Sequence, residues 1–131
     1  MLAASVTPTS VVPTETEPAQ TVFAESPTVE QYVREYFNDI PVMAEVARCE
    51  SRFRHFGKNG DVIRGEVNSL DVGVMQINEH YHKDTALKLG FNLYSLDGNL
   101  AYGRYLFEEQ GTQPWMSSSP CWGLHNHVAV K

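Results

Sequence analysis

Glu50 is the residue whose type and setting point most directly to chemistry. It closes the apolar stretch IPVMAEVARCESRFRHF, residues 40–56, with Cys49 on one side and Ser51 on the other. Met43, Ala47 and Glu50 stand at i, i+4 and i+7, so one helical face runs from core-facing side chains directly to an acid. A carboxyl group half-buried at the end of such a stripe loses hydration in its ionised form. Its pKa rises, and it can donate a proton near neutral pH, as cleavage of a glycosidic bond requires. The plainer reading is a glutamate at the solvent-facing end of a helix. A two-carboxylate glycosidase would need a partner acid, and Asp61, Glu66 and Asp71 are the candidates. No partner motif marks any of them, and each also reads as a turn or strand residue.

Other reactive groups carry less. His80 and His82 are two apart on an expected helix and so point to different faces. His125 and His127 have no cysteine or carboxylate at ligand spacing, so no metal site is expected. No phosphate-binding glycine loop, Ser-His-Asp order or Cys-x-x-Cys pair is present, and no cofactor is expected. Cys49 and Cys121 are the only cysteines. In a cytosolic chain they read as buried thiols; in an exported one they read as a disulfide tying the Glu50 helix to residues 115–122.

The elements that must position Glu50 follow from local signals. Thr28 and Gln31 form a capping-box pattern before Tyr32, Val33, Tyr36 and Phe37, an apolar stripe at helical spacing. Asp39 and Pro41 predict the cap and first turn of the helix that carries Glu50. Glycines and Asn/Asp then punctuate short β-branched runs at 62–63 and 72–77, which predict a ribbon of two or three strands. Asn78 caps a helix over residues 79–89 closed by Gly90, and a last long helix runs over 96–110 to Gly111. Its inner face carries Leu96, Leu100, Gly103, Leu106 and Phe107. The fold class is α+β, mostly α-helical, with a small β-ribbon insertion.

With 131 residues, 42% of them hydrophobic, the chain has the material for one core and not two. No apolar run approaches the length of a membrane span. The net charge of −6 and the absence of any Lys/Arg cluster argue against nucleic acid. Residues 1–27 hold Glu15, Glu17 and Glu25 without a basic residue, leaving 13 acidic against 10 basic positions in the remainder. Rich in Thr, Pro and Ser, with prolines at 8, 13, 18 and 27, this segment reads as a disordered linker or tether ahead of a domain at 28–131. It lacks the basic start and long apolar stretch of a secretory signal. The expectation is an exported protein, extracellular or in the cell envelope, whose signal or anchor is absent from this sequence.

Three ordered motifs resemble the soluble lytic transglycosylases of the lysozyme-like superfamily, over residues 40–122. Glu50-Ser51 matches that family's Glu-Ser motif. Gly73, Val74, Met75, Gln76 and Ile77 look like its Gly-Leu-Met-Gln-Ile motif. Asn99-Leu100 with Gly103 is similar to its third motif. The tyrosine usually found seven residues after that Asn is Leu106 here, with Tyr102 and Tyr105 nearby. Cys49, Gln110, Gly111, Trp115 and Cys121 resemble instead the resuscitation-promoting-factor branch, which supports the disulfide. The resemblance implies a lysozyme-like fold, action on peptidoglycan glycan strands, and Glu50 as single acid/base forming a 1,6-anhydro product; a monomer is expected. Substrate contacts are expected from Ser51, Gly73, Val74, Met75, Gln76, Asn78, Tyr81, Asn99, Tyr102 and Trp115. The alternatives are a hydrolytic muramidase and a non-catalytic glycan-binding or signalling module.

Overall fold

The structure, a computed structural model, describes residues 26–123. Most of the expected tether, together with His125 and His127, lies outside the described residues. Helix α1, Val29–Tyr36, begins with the full capping box: the Thr28 side chain accepts from Gln31 N–H at 3.1 Å and the Gln31 amide oxygen accepts from Thr28 N–H at 2.8 Å. Two of the first orphan donors are thereby satisfied. Val33 and Phe37 from its apolar stripe are fully buried.

Helix α2, Pro41–Ser51, starts at its expected proline, but Ile40 stands at the N-cap and no side chain caps it. Asp39, expected as that cap, instead takes two hydrogen bonds from the guanidinium of Arg104, at 2.9 and 3.0 Å. A bidentate ion pair outcompetes a neutral cap for the same carboxylate. Arg104 also donates to Tyr36 O at 2.7 Å and lies over the Phe37 ring, clamping the end of α1 to the last long helix. At its other end α2 stops at two consecutive left-handed residues, Arg52 (φ 57°) and Phe53 (φ 60°), which turn the chain out of the helix just past Glu50.

The ribbon is shorter than the run at 72–77 suggested. Strand β1, Asp71–Val72, pairs antiparallel with β2, Ile77–Asn78, in the register Asp71↔Asn78 and Val72↔Ile77. Residues 73–76 form the turn between them, because Gly73 (φ 77°) and Gln76 (φ 52°) both leave extended geometry. Single bridges Phe56↔Val62 and Arg64↔Val72 extend the ribbon on one side.

Helix α3, Glu79–Leu89, is capped by Asn78 and closed by Gly90 in the left-handed region. Helix α4, Leu96–Gln110, is capped by Ser95, and buries Leu100, Gly103 and Leu106. A 3-10 helix, Gln113–Ser118, follows, and residues 119–123 are helical. The core joins Met43, Val46 and Ala47 of α2 to Val72, Val74, Met75 and Ile77 of the ribbon and Leu100 and Leu106 of α4. The architecture is α+β: mostly helical, with one small antiparallel sheet. Among the described residues no helix is long and apolar enough to cross a membrane.

Candidate active site

The last turn of α2 delivers Glu50 into a cleft of about 270 Å³, walled by β1, β2, α3, α4 and the 3-10 helix. Its carboxyl group is half-buried. The Ser118 hydroxyl donates to Glu50 Oε2 at 2.6 Å, and the Trp122 indole N–H donates to Ser118 Oγ at 3.0 Å. Burial pushes the Glu50 pKa up from its ordinary value of 4.5; the Ser118 hydrogen bond opposes that shift, and the negative charge of Asp71 adds to it. The helix C-terminus, where carbonyl dipoles disfavour an anion, acts in the same direction as burial. Glu50 is thus a carboxyl whose proton is held more tightly than usual while it faces a cavity, the direction of shift that suits a general acid.

Of the three candidate partner acids, only Asp71 lines this cleft. Its Oδ1 accepts from Asn78 Nδ2 at 3.0 Å. Asp61 sits in an exposed turn, accepting from the Asn59 amide at 3.1 Å, and Glu66 is exposed on the loop before β1.

The residues expected to contact substrate divide into two groups. Gln76, Asn78, Tyr81 and Trp115 line the cleft. Tyr81 presents an exposed ring, and the buried Trp115 anchors its indole N–H on Met75 O at 2.8 Å. Val74, Met75, Asn99, Tyr102 and Ser51 are at most 2% exposed and stand behind the wall. Their work is support. Ser51 Oγ donates back to Ala47 O at 3.0 Å and accepts from Arg54 N–H at 3.3 Å, finishing α2 instead of reaching into the cleft. Asn99 accepts from Met75 N–H at 2.8 Å and donates to Val72 O and Leu93 O at 3.0 and 2.9 Å. That triple bond set fixes the 73–76 turn from both sides. Gly73, also buried, leaves the space that Asn99 fills. Gln76 closes the turn by donating from Nε2 to Gly73 O at 3.0 Å.

The same turn reveals a residue that sequence reasoning missed. His55 is 1% exposed; its Nδ1 accepts from Val74 N–H at 3.0 Å and its Nε2 faces Tyr94 O at 2.9 Å. An acceptor Nδ1 and a donor Nε2 require the neutral ring, and burial holds the His55 pKa below 6.5. Nothing local to residues 52–57 signals this role, because both partners come from distant segments. His82, considered above only for metal binding, lines the cleft with its Nδ1 2.9 Å from the buried Tyr102 hydroxyl. Leu106 supplies apolar wall. Ser118 was also missed; its one sequence signal is its place three residues before Cys121.

Cys49 and Cys121 are bridged, with Cα atoms 6.1 Å apart. The bridge joins the residue preceding Glu50 to the segment carrying Ser118 and Trp122, so the acid and its hydrogen-bond donor are covalently held together. Among the described residues no group of three or more His, Cys, Asp or Glu side chains is arranged to hold a metal ion. A second groove, about 320 Å³, is formed by α3 and the loop that follows it, lined by Leu87, Phe91 and Leu93, and shares no lining residue with the Glu50 cleft. Comparison with known protein families, curated proteins and solved structures finds no match for this chain.

Proposed function

We propose that the protein is a peptidoglycan lytic transglycosylase of lysozyme-like fold that cleaves the β-1,4 bond between N-acetylmuramic acid and N-acetylglucosamine. The observation that carries the reading is Glu50: a half-buried carboxyl, pushed toward its protonated form, facing a cleft lined by amides and an exposed tyrosine. Amides such as those of Gln76 and Asn78 both donate and accept, which suits hydroxyl and N-acetyl groups, and Tyr81 offers a ring face to a sugar.

In the proposed reaction Glu50 gives its proton to the glycosidic oxygen as the C1–O bond breaks. The acetamido carbonyl of the muramic acid bonds to C1 as the leaving sugar departs. The Glu50 carboxylate then takes the proton of the C6 hydroxyl, O6 bonds to C1, and the acetamido group is released. The products are a 1,6-anhydro sugar and a free 4-hydroxyl end, and Glu50 regains its proton. The Cys49–Cys121 bridge supports an oxidising location outside the cytoplasm.

One observation favours a second reading, a hydrolytic muramidase: Asp71 shares the cleft with Glu50. There Asp71 would activate water or stabilise the glycosyl cation. Mass spectrometry of muropeptides released from purified peptidoglycan separates the two, since 1,6-anhydro ends arise only from ring closure. Glu50→Gln is expected to lower the rate by about 10²- to 10⁴-fold. Asp71→Asn should leave most of the activity in the transglycosylase and remove it in the muramidase. Binding to glycan strands with no product at all would leave a glycan-binding module and overturn both enzymatic readings.

A further inference from the structure

Ser118 lies on the 3-10 helix, with its Oγ close to three groups. Glu50 Oε2 is at 2.6 Å, Trp115 O at 3.1 Å and Trp122 Nε1 at 3.0 Å. An indole N–H only donates, so Trp122 makes Ser118 Oγ an acceptor on that side. The single hydroxyl hydrogen is then left to Glu50 Oε2 or Trp115 O. Oε2 is closer, and a carboxylate is the stronger acceptor; Trp115 O already accepts from Trp122 Nε1 at 3.2 Å.

We propose that Ser118 is the positioning residue of the acid, its hydroxyl holding Glu50 Oε2 as an acceptor so that the transferable proton resides on Oε1. This rests on the reading of Glu50 as acid/base. Protonation at Oε2 would turn the Ser118 hydrogen onto Trp115 O at the longer 3.1 Å, whereas a proton on Oε1 leaves the 2.6 Å bond to Oε2 in place, so Oε1 is the site in the neutral acid. One oxygen then delivers the proton to the leaving sugar and recovers it from the C6 hydroxyl, without rotation of the carboxyl group. Trp122 keeps the hydroxyl in register. The bridge from Cys121 to Cys49 holds the donor segment against the acid across 68 residues of sequence.

The ionisable side chains that line the cleft with Glu50 are Asp71 from β1 and Tyr81 and His82 from α3; α4 and the 3-10 helix line it only with uncharged side chains, Leu106, Gln110, Pro114, Trp115 and Ser117. On α2 itself Arg48 is paired with Glu45. A change confined to Ser118 therefore leaves the charges facing Glu50 in place.

The test combines a ¹³C NMR titration of the Glu50 carboxyl with the pH profile of peptidoglycan cleavage. Ser118→Ala is expected to raise the Glu50 pKa by about 0.5 to 1 unit, because the bond it removes favours the charged form. The alkaline limb of the profile should move up by the same amount. The turnover number should fall by about 10-fold with little change in KM, as befits a lost orientation of the acid. Ser118→Thr keeps the hydroxyl and should restore both. An unshifted Glu50 titration in Ser118→Ala, or a change in KM alone, overturns the proposal. Should Ser118→Ala fail to fold, Trp122→Phe decides: it should shift Glu50 in the same direction, and no shift overturns the role. If the wild type proves inactive or Glu50→Gln retains full activity, the functional reading fails, while the NMR titration still decides what Ser118 does to the Glu50 proton.

Discussion

Gly73 and His55 meet across a gap with no room for a methyl group: a Cβ on Gly73 would lie 2.6 Å from His55 Cε1 and 2.4 Å from Asn99 Nδ2. Neither neighbour can yield cheaply. His55 is held between Val74 N–H and Tyr94 O, and Asn99 makes hydrogen bonds to Met75, Val72 and Leu93. The backbone of Gly73 also stands at φ 77°, where a side chain is strained.

Gly73→Ala is therefore expected to destabilise the protein by at least about 2 kcal/mol, read as a fall in Tm on the order of 10 °C. Thermal melts followed by circular dichroism measure it. A Tm within about 2 °C of wild type would mean that the turn behind Gln76 is slack, and the packing account of this wall would be wrong.

Glu50 should lower stability as well as supply chemistry. Its folded pKa is raised above 4.5, so between 4.5 and the folded value the native state keeps a proton that the unfolded chain has released. Stability then falls as pH rises through that window and stays reduced above it. Glu50→Gln keeps an acceptor for Ser118 and removes the charge. It is expected to melt above wild type at pH 7, by on the order of 3 °C, and to lose most of that advantage at pH 4, where wild-type Glu50 is mostly protonated in both states. Melts at the two pH values check this; an advantage of the same size at both would show that packing, not ionisation, is responsible.

Removing the bridge should cost stability and activity together. Cys49 and Cys121 are 72 residues apart, and opening a ring of that size costs about 4 kcal/mol in the chain-entropy treatment. The Cys49→Ser, Cys121→Ser double variant should unfold at markedly lower urea. It should also lose cleavage at temperatures where it remains folded, because Ser118 is no longer tied to the acid. Full activity in the folded double variant would show that the 3-10 helix holds Ser118 unaided.

Much of the scaffold was legible because its signals are local. The Thr28–Gln31 box, the Asn78 cap with Gly90, and the Gly111 stop of α4 depend on residues a turn apart. Sequence therefore determined helices α1 to α4, though not the helical turns over residues 113–123. It also singled out Glu50, since an acid at the end of an apolar stripe is visible within two helical turns, and it named the cysteine pair as a candidate bridge. It erred where a distant partner competed for a local group: Asp39 caps nothing because Arg104, 65 residues away, binds it. The middle of the 72–77 run, residues 73–76, is a turn because Asn99 and His55 hold its backbone from other segments.

The site's working parts were decided only by the tertiary structure. Asp61, Glu66 and Asp71 look alike as sequence, and only the ribbon's register brings Asp71 into the cleft with Glu50. Val74 and Met75 share a motif with Gln76, yet the turn's geometry buries the first two and leaves Gln76 on the cleft wall. Ser118 reaches Glu50 from 68 residues away. Local patterning determines which backbone a segment adopts, because caps and apolar stripes act over three to four residues. Which side chains share a cavity depends on how segments remote in sequence pack, and so the acid could be read from the chain but its hydrogen-bond donor could not.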